Sequence, residues 1–204
     1  MNWPPINWPD IKWPEANLKD TLTFLRAITA DPSQVGAIAP SGPALARLIT
    51  SEIGSHSGPI IELGPGTGVF TQALLDQGVR ERDLTLVETS PEFARLLRQR
   101  FPAARVLHMD ARHLHRRNLF PQNSIGAVVS GLPLLNLSPP RVLALLRGAF
   151  RCMQPGGAFY QFTYGPLCPV PRPCLDRLNL QATCLGRAFI NIPPAAVYRI
   201  TQSA

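Results

Sequence analysis

The residues best suited to chemistry lie in one acidic, glycine-rich run, Glu62-Leu63-Gly64-Pro65-Gly66-Thr67-Gly68. It ends the strand-like stretch Pro59-Ile60-Ile61-Glu62-Leu63 and opens a helical stretch from Thr67 to Gln77, which Gly78 terminates. Glycines at such a place let the backbone turn tightly and let a ligand come close. The helix that follows presents N–H groups with no partner inside the helix. In nucleotide dehydrogenases that helix end takes a pyrophosphate. This run differs in its G-x-G-x-G spacing and in the carboxylate of Glu62 just ahead of the first glycine. An acid there suits a cationic ligand better than a phosphate, and the ammonium of a methionyl group is such a cation. Glu88 ends the next strand-like stretch, Leu84 to Glu88, 24 positions beyond Gly64. A carboxylate at that point can accept both hydroxyls of a ribose. Asp110 follows a third stretch, Arg105 to His108, and is placed to meet an adenine amino group. Singly, Glu88 or Asp110 also reads as a solvated loop carboxylate.

A methionyl ammonium, a ribose and an adenine are parts of one molecule, S-adenosylmethionine. The expected cofactor ligands are therefore Glu62, Gly64, Gly66, Gly68, Glu88, Asp110, Ala111 and Ser130. S-adenosylhomocysteine is the expected product, and no metal is expected. A fourth strand-like stretch, Ile125 to Ser130, continues into Gly131-Leu132-Pro133-Leu134. Given the cofactor, an acceptor nitrogen would sit on this loop beside the sulfonium. Gly131 allows close approach, and Pro133 leaves the preceding carbonyls free, so the carbonyl of Gly131 or Leu132 is expected to orient the acceptor. Without the cofactor motif the same loop reads as an ordinary strand-to-helix connection.

Positioning these residues requires a sheet that brings several strand ends to one edge. A helix is expected from about Ser41 to Ile53, with Ser41 as N-cap and Pro43 in the first turn. Further helices are expected from Ser90 to Phe101 and from Pro140 to Met153, the latter stopped by Gln154-Pro155-Gly156-Gly157. Ala158–Thr163 reads as a fifth strand, and Leu185–Ile192 and Ala196–Thr201 as an antiparallel pair joined through Pro193-Pro194. Strands alternating with helices argue for a parallel sheet covered on both faces. The expected fold is α/β and Rossmann-like: a mostly parallel seven-stranded sheet, helices on both faces, a C-terminal antiparallel hairpin and an N-terminal helical extension.

The chain has 204 residues and suits one such domain at residues 41–204, preceded by two segments of different character. Residues 1–17 hold a five-residue repeat built on Trp3-Pro4, Trp8-Pro9 and Trp13-Pro14, which contains every tryptophan of the chain. Proline there blocks regular helix, while tryptophan favours membrane–water interfaces. The arm reads either as lying on the protein's own surface or as touching a membrane. Residues 18–40 hold an amphipathic helical pattern, Leu18, Leu22, Leu25 and Ile28, ended at Asp31-Pro32. Its apolar face suits a protein core or a lipid surface equally. No apolar run is long enough to span a bilayer and no secretory leader is evident, so a cytoplasmic protein, soluble or peripheral to a membrane, is expected. The four cysteines form no C-x-x-C pair; reduced thiols are expected rather than a Cys168–Cys174 disulfide. The net charge of +7 rests almost wholly on arginine, with Lys12 and Lys19 the only lysines, and favours anionic partners.

With these residues placed, the chain resembles bacterial phospholipid N-methyltransferases, which convert phosphatidylethanolamine stepwise toward phosphatidylcholine. The stretches that carry the resemblance are Val35 to Gly42, Glu62 to Gly68, Leu86 to Phe93, Val129-Ser130-Gly131-Leu132-Pro133-Leu134-Leu135-Asn136, Gln161-Phe162-Thr163-Tyr164-Gly165-Pro166, and Asn191 to Ala195. It runs from about Leu22 to the end and leaves the Trp-Pro repeat uncovered. It implies S-adenosylmethionine held by Glu62, Gly64, Gly66 and Glu88, and membrane docking through the 18–30 helix on the inner face of a bacterial membrane. It further implies phosphatidylethanolamine as substrate and anionic lipids for docking, with no nucleic-acid partner expected; oligomeric state is not legible. Tyr164 is a candidate polar contact to the acceptor, or a loop tyrosine that merely packs. Arg187 and Arg199 are candidates for the lipid phosphate, or solvated surface arginines. Two other readings stand beside this one. An RNA adenine N-methyltransferase shares the glycine loop and basic surface, and a non-catalytic lipid- or protein-binding module could keep the cofactor site.

Overall fold

A computed structural model describes residues 42–116, 119–164, 167–188 and 194–203, without the side chains of residues 115 and 116. The Trp-Pro arm, the helix expected over residues 18–30, the lead-in to residue 40 and Ser41 lie outside the described residues.

The chain alternates helix and strand in the order α1 (Pro43–Ile49), β1 (Ile60–Leu63), α2 (Val69–Asp76), β2 (Leu84–Glu88), α3 (Pro91–Arg100), β3 (Arg105–His108), β4 (Ile125–Ser130), α4 (Pro139–Cys152), β5 (Met153–Thr163), α5 (Arg172–Arg177), β6 (Leu180–Ala188) and β7 (Ala195–Gln202). Short 3-10 turns cover Glu81–Asp83, Ala111–Arg116 and Leu134–Asn136. Local chemistry sets several boundaries. Ser90 caps α3 by accepting from Phe93 N–H at 3.3 Å, and Pro91 fills the first helical position, where its missing N–H costs nothing. Gly42, rather than the expected Ser41, takes the N-cap of α1, with Pro43 in the first helical position and no side-chain cap bond.

The seven strands lie in the order β3-β2-β1-β4-β5-β7-β6. The first five pair in parallel, and β7 runs antiparallel between β5 and β6. Chain order steps outward from β1 to β3, then restarts on the other side of β1 with β4. That reversal opens a crevice at the strands' C-terminal ends, where open α/β sheets bind ligands.

Side chains alternate across the sheet. Ile60, Leu86, Ala127, Val129, Tyr160 and Phe162 join one core with Leu45 and Ile49 of α1, Phe70 and Leu74 of α2 and Leu97 of α3. Val128, Ser130, Phe159 and Gln161 take the opposite face, where Phe150 of α4 stacks on Phe159 at 6.5 Å. Burial on both faces explains the unbroken apolar runs of the inner strands. Each fully buried Leu, Ile or Phe contributes about 1.5–3 kcal/mol.

The expected seven-stranded, doubly covered sheet with its closing hairpin is present, and several details differ. Helix α1 ends at Ile49, capped by Thr50, rather than running to Ile53. β5 begins at Met153 rather than Ala158. Met153 pairs with Ile125, and a register shift between Ile125 and Ala127 absorbs the Pro155-Gly156-Gly157 run that reads as a helix stop. β6 begins at Leu180 rather than Leu185, its alternation interrupted by a bulge at Cys184–Gly186. Helix α5 has no counterpart among the elements expected from sequence.

Candidate active site

The loop after β1 turns back on itself through three glycines with positive φ: Gly64 at 67°, Gly66 at 56° and Gly68 at 85°. Three backbone bonds hold it. Gly64 N–H donates to Val87 O at 2.9 Å, Gly68 N–H to Pro65 O at 2.8 Å, and Gly131 N–H to Leu63 O at 2.8 Å. The loop is thereby tied to the ends of both neighbouring strands, β2 and β4.

Gly131 is glycine for a different reason from the others. Its φ is ordinary, but a Cβ there would sit 2.6 Å from Gly64 O and 3.4 Å from Leu63 O. Both obstacles are backbone, so the loop after β4 reaches the loop after β1 only without a side chain. Leu132 then covers Gly64: a Cβ on Gly64 would meet Leu132 Cδ2 at 2.7 Å. The acceptor loop expected from sequence is therefore packed directly on the cofactor loop.

Glu62 rises from β1 into the core and is fully buried. Its Oε2 accepts from Thr71 Oγ of α2 at 2.6 Å. Its Oε1 is buried and has no partner among the described residues. Burial pushes the carboxyl up to about 7, against the opposing pull of the Thr71 hydrogen bonds, and the charge of Glu88 adds to the rise. A buried acid with an unmatched oxygen fits a ligand that brings a positive charge. Glu88 ends β2, also buried, with Oε2 accepting from Gly66 N–H at 3.1 Å and Oε1 from Ser90 N–H at 2.8 Å. It thus stands against the glycine loop, where ribose hydroxyls would meet it.

Asp110, Ala111 and Arg112 line a cleft with Val87, Thr89, Leu132, Pro133 and Leu137. Largely apolar walls with a charged pair at one corner suit an adenine ring. Asp110 is already engaged: its Oδ2 pairs with the Arg112 guanidinium and its Oδ1 accepts from Arg112 N–H at 2.8 Å. The Arg112 hydrogen bond holds its carboxyl below the usual carboxylate range. Ser130 is fully buried, and its Oγ accepts from Leu132 N–H at 3.4 Å, closing the turn into the acceptor loop. The glycine cradle, the unmatched acid and the cleft together fit S-adenosylmethionine.

The remaining candidates lie on β5, β6 and β7 or just after them. Tyr164 follows β5 and packs edge-on against Phe162 at 5.2 Å, on the face shared with Phe70. Arg187 is exposed on the edge strand β6, paired with Ala196, which pairs in turn with Thr163 at the end of β5. It shares the level of the strands' C-terminal edge, about 10 Å from β5 at two strand spacings. Arg199 lies opposite Tyr160, three positions short of that edge. Its Nη1 donates to Glu52 Oε1 at 3.0 Å, and Tyr160 O–H donates to Glu52 Oε2 at 3.2 Å. Arg199 is therefore not brought together with the glycine loop and already has an anionic partner.

Two further residues of the site carry little signal in the sequence. Thr71 braces Glu62 from the next helix, and nothing in a helical threonine announces that. Gln161 sits fully buried opposite Ser130 and donates to Leu132 O at 2.9 Å. Its only signal is its place in the stretch Gln161 to Pro166, which carries the family resemblance.

Residues 60–157 match the family described as a methyltransferase domain. Over 188 residues the chain is 31% identical to an ornithine lipid N-methyltransferase from Singulisphaera acidiphila, covering 89% of this chain and 95% of that protein. A shorter match, 32% over 92 residues, links it to ribosomal RNA small subunit methyltransferase A of Porphyromonas gingivalis, covering 44% of this chain and 34% of that one. Among solved structures, a TehB-like methyltransferase from Corynebacterium glutamicum superposes with a TM-score of 0.60 at 16% identity, covering 91% of this chain and 97% of that one. A buried acid before a glycine cradle, a second acid against it, and a relative matched over nearly its whole length lead to one conclusion: the chain belongs to the class I S-adenosylmethionine-dependent methyltransferases.

Proposed function

We propose that this chain methylates the amine of a membrane lipid headgroup, with phosphatidylethanolamine and its partly methylated forms as acceptors. The geometric observation that carries methyl transfer to an amine is the contact between the two loops. Gly131 abuts Gly64 O, and the Leu132 side chain covers Gly64, so the acceptor loop borders the cofactor loop. The lipid acceptor is supported by likeness to an ornithine lipid N-methyltransferase over nearly the full length of that protein. Ornithine and ethanolamine headgroups both end in a primary alkyl amine.

When bound, S-adenosylmethionine supplies an electrophilic methyl group on a sulfonium sulfur. The acceptor nitrogen must be neutral to attack it. An alkylammonium resembles lysine, whose pKa is near 10.4, so presenting the neutral form at pH 7 costs roughly 4–5 kcal/mol. Partly and fully buried apolar groups on the loop, Leu132 and Leu134, favour the uncharged amine by desolvation. Holding the amine against the methyl carbon supplies much of the remaining rate. Arg187, exposed at the level of the strands' C-terminal edge, is the better placed of the two arginines to meet a headgroup phosphate. Peripheral docking is the part of this reading that the net charge of +7 supports. No helix among the described residues is long and apolar enough to cross a membrane.

Vesicles of phosphatidylethanolamine or ornithine lipid, incubated with methyl-labelled S-adenosylmethionine, test this reading. Label is expected in solvent-extractable lipid. Label found only in added RNA or protein would overturn the lipid reading, and cofactor binding without turnover on any vesicle would favour a binding module.

A further inference from the structure

Gln161 is a buried polar side chain that cofactor binding leaves unexplained. It stands on β5 opposite Ser130 and is fully buried. Its Nε2 donates to Leu132 O at 2.9 Å and to Phe162 O at 2.8 Å. Those two bonds identify the ends of the amide, because the flipped side chain would set its own oxygen against two carbonyl oxygens. The remaining atom, Oε1, is buried with no hydrogen-bond partner among the described residues. Buried polar atoms nearly always have partners, and an unmade acceptor costs free energy. An unmatched amide oxygen beside the acceptor loop therefore marks a place for a donor that arrives with a ligand.

The neighbouring atom makes the donor specific. A carbonyl oxygen carries two acceptor sites, so Leu132 O keeps one while Gln161 holds the other. Leu132 itself lies on Gly64 of the cofactor loop. Two neutral acceptors bracket this spot, and neither can take a proton at ordinary pH. A neutral primary amine offers two N–H donors and one lone pair, which matches.

We propose that Gln161 Oε1, together with the Leu132 carbonyl, binds the N–H groups of the acceptor amine and makes the enzyme selective for acceptors that still carry them. The inference rests on the amine-methylation reading above. In the step itself the nitrogen lone pair forms the N–C bond, and the C–S bond breaks with its electron pair going to sulfur. The product ammonium holds its N–H groups on the same two oxygens until it gives a proton to water. Each methyl replaces one N–H. A neutral dimethylated amine has none left, so the pair no longer helps it. Gln161 thus favours the first transfer over the third.

The test compares vesicles of phosphatidylethanolamine with vesicles of its N,N-dimethyl form, and ornithine lipid with its dimethyl form in parallel. Wild type, Gln161→Met and Gln161→Glu are assayed, with S-adenosylmethionine binding by calorimetry as the check on folding. Wild type is expected to prefer the primary amine. Gln161→Met, of similar length but without acceptor or donor, is expected to lower that preference about tenfold or more, the effect of one lost hydrogen bond. Gln161→Glu, held protonated by the carbonyls of Leu132 and Phe162, keeps one donor and an acceptor oxygen and is expected to keep part of the preference at pH below that of its ionisation. Cofactor affinity should be unchanged in all three. An equal loss on primary and dimethylated acceptors, or an unaltered preference, overturns the assignment while leaving lipid methylation standing. A wild-type enzyme that labels no lipid amine overturns both.

Discussion

Glu62 combines complete burial with a single hydrogen-bonded oxygen, and this has a consequence for stability as well as for binding. Its carboxyl is pushed up from 4.5 to about 7, with desolvation the largest cause. An acid raised in the folded state binds its proton more tightly there than in the unfolded chain. The stability it contributes is full below about pH 4.5 and is lost as pH rises through about 7. At 1.36 kcal/mol per pH unit the loss amounts to about 3 kcal/mol. Glu62→Gln keeps an acceptor for Thr71 and removes the titration. Without cofactor, the wild-type melting temperature should therefore fall relative to the variant by roughly 5–10 °C between pH 4.5 and 8. Parallel melting curves across that range would show that Glu62 ionises without penalty. Asp110 acts in the opposite sense, held down by its hydrogen bond to Arg112, and its contribution is lost only in more acidic solution. Glu62 was legible from the sequence because its position before the first glycine identifies it. Thr71 was not, since its role depends on α2 folding back over β1.

At the scale of elements, the site is the meeting of two loops rather than a property of either. The loop after β1 and the loop after β4 are separated by 67 residues, Gly64 to Gly131, and touch because β1 and β4 are neighbours in the sheet. Gly131→Ala tests that meeting. A Cβ 2.6 Å from one backbone carbonyl and 3.4 Å from another has no flexible side chain to push aside. The loops must part by a few tenths of an ångström or more. Overpacking of this kind costs about 1–3 kcal/mol, and a displaced reacting centre can cost about a hundredfold in rate. Turnover is expected to fall by more than the loss of cofactor affinity, as measured by steady-state kinetics alongside calorimetry. Wild-type kinetics in Gly131→Ala would show that the close approach is dispensable. The paired strand ends were legible from apolar runs and punctuating glycines. The early starts of β5 and β6 were not, because a register shift at Ile125–Ala127 and a bulge at Cys184–Gly186 break the alternation that sequence reading relies on.

For the whole molecule, charge is the property most open to test. A net charge of +7 carried almost entirely by arginine favours anionic surfaces. Under the proposed peripheral docking, full-length protein should sediment with anionic vesicles at low salt and release as salt rises. The Debye length falls from about 10 Å at 0.1 M to about 3 Å at 1 M. Neutral vesicles should retain much less protein. Binding that ignores both salt and lipid charge would show that apolar insertion, not electrostatics, holds the protein on the membrane.

Local signals along the chain are enough for the acid-and-glycine turn at Glu62–Gly68, the acid closing β2, and the alternation that demands a covered parallel sheet. Which distant groups meet depends on the folded sheet. Arg199 finds Glu52 across 147 positions, removing a candidate phosphate ligand from the strands' C-terminal edge. Gln161 finds Leu132 across 29 positions and is left with an oxygen unmatched among the described residues. Spacing along a chain encodes periodicity and turns, but the partner of a buried polar atom depends on strand order and register, and those exist only once the sheet has formed.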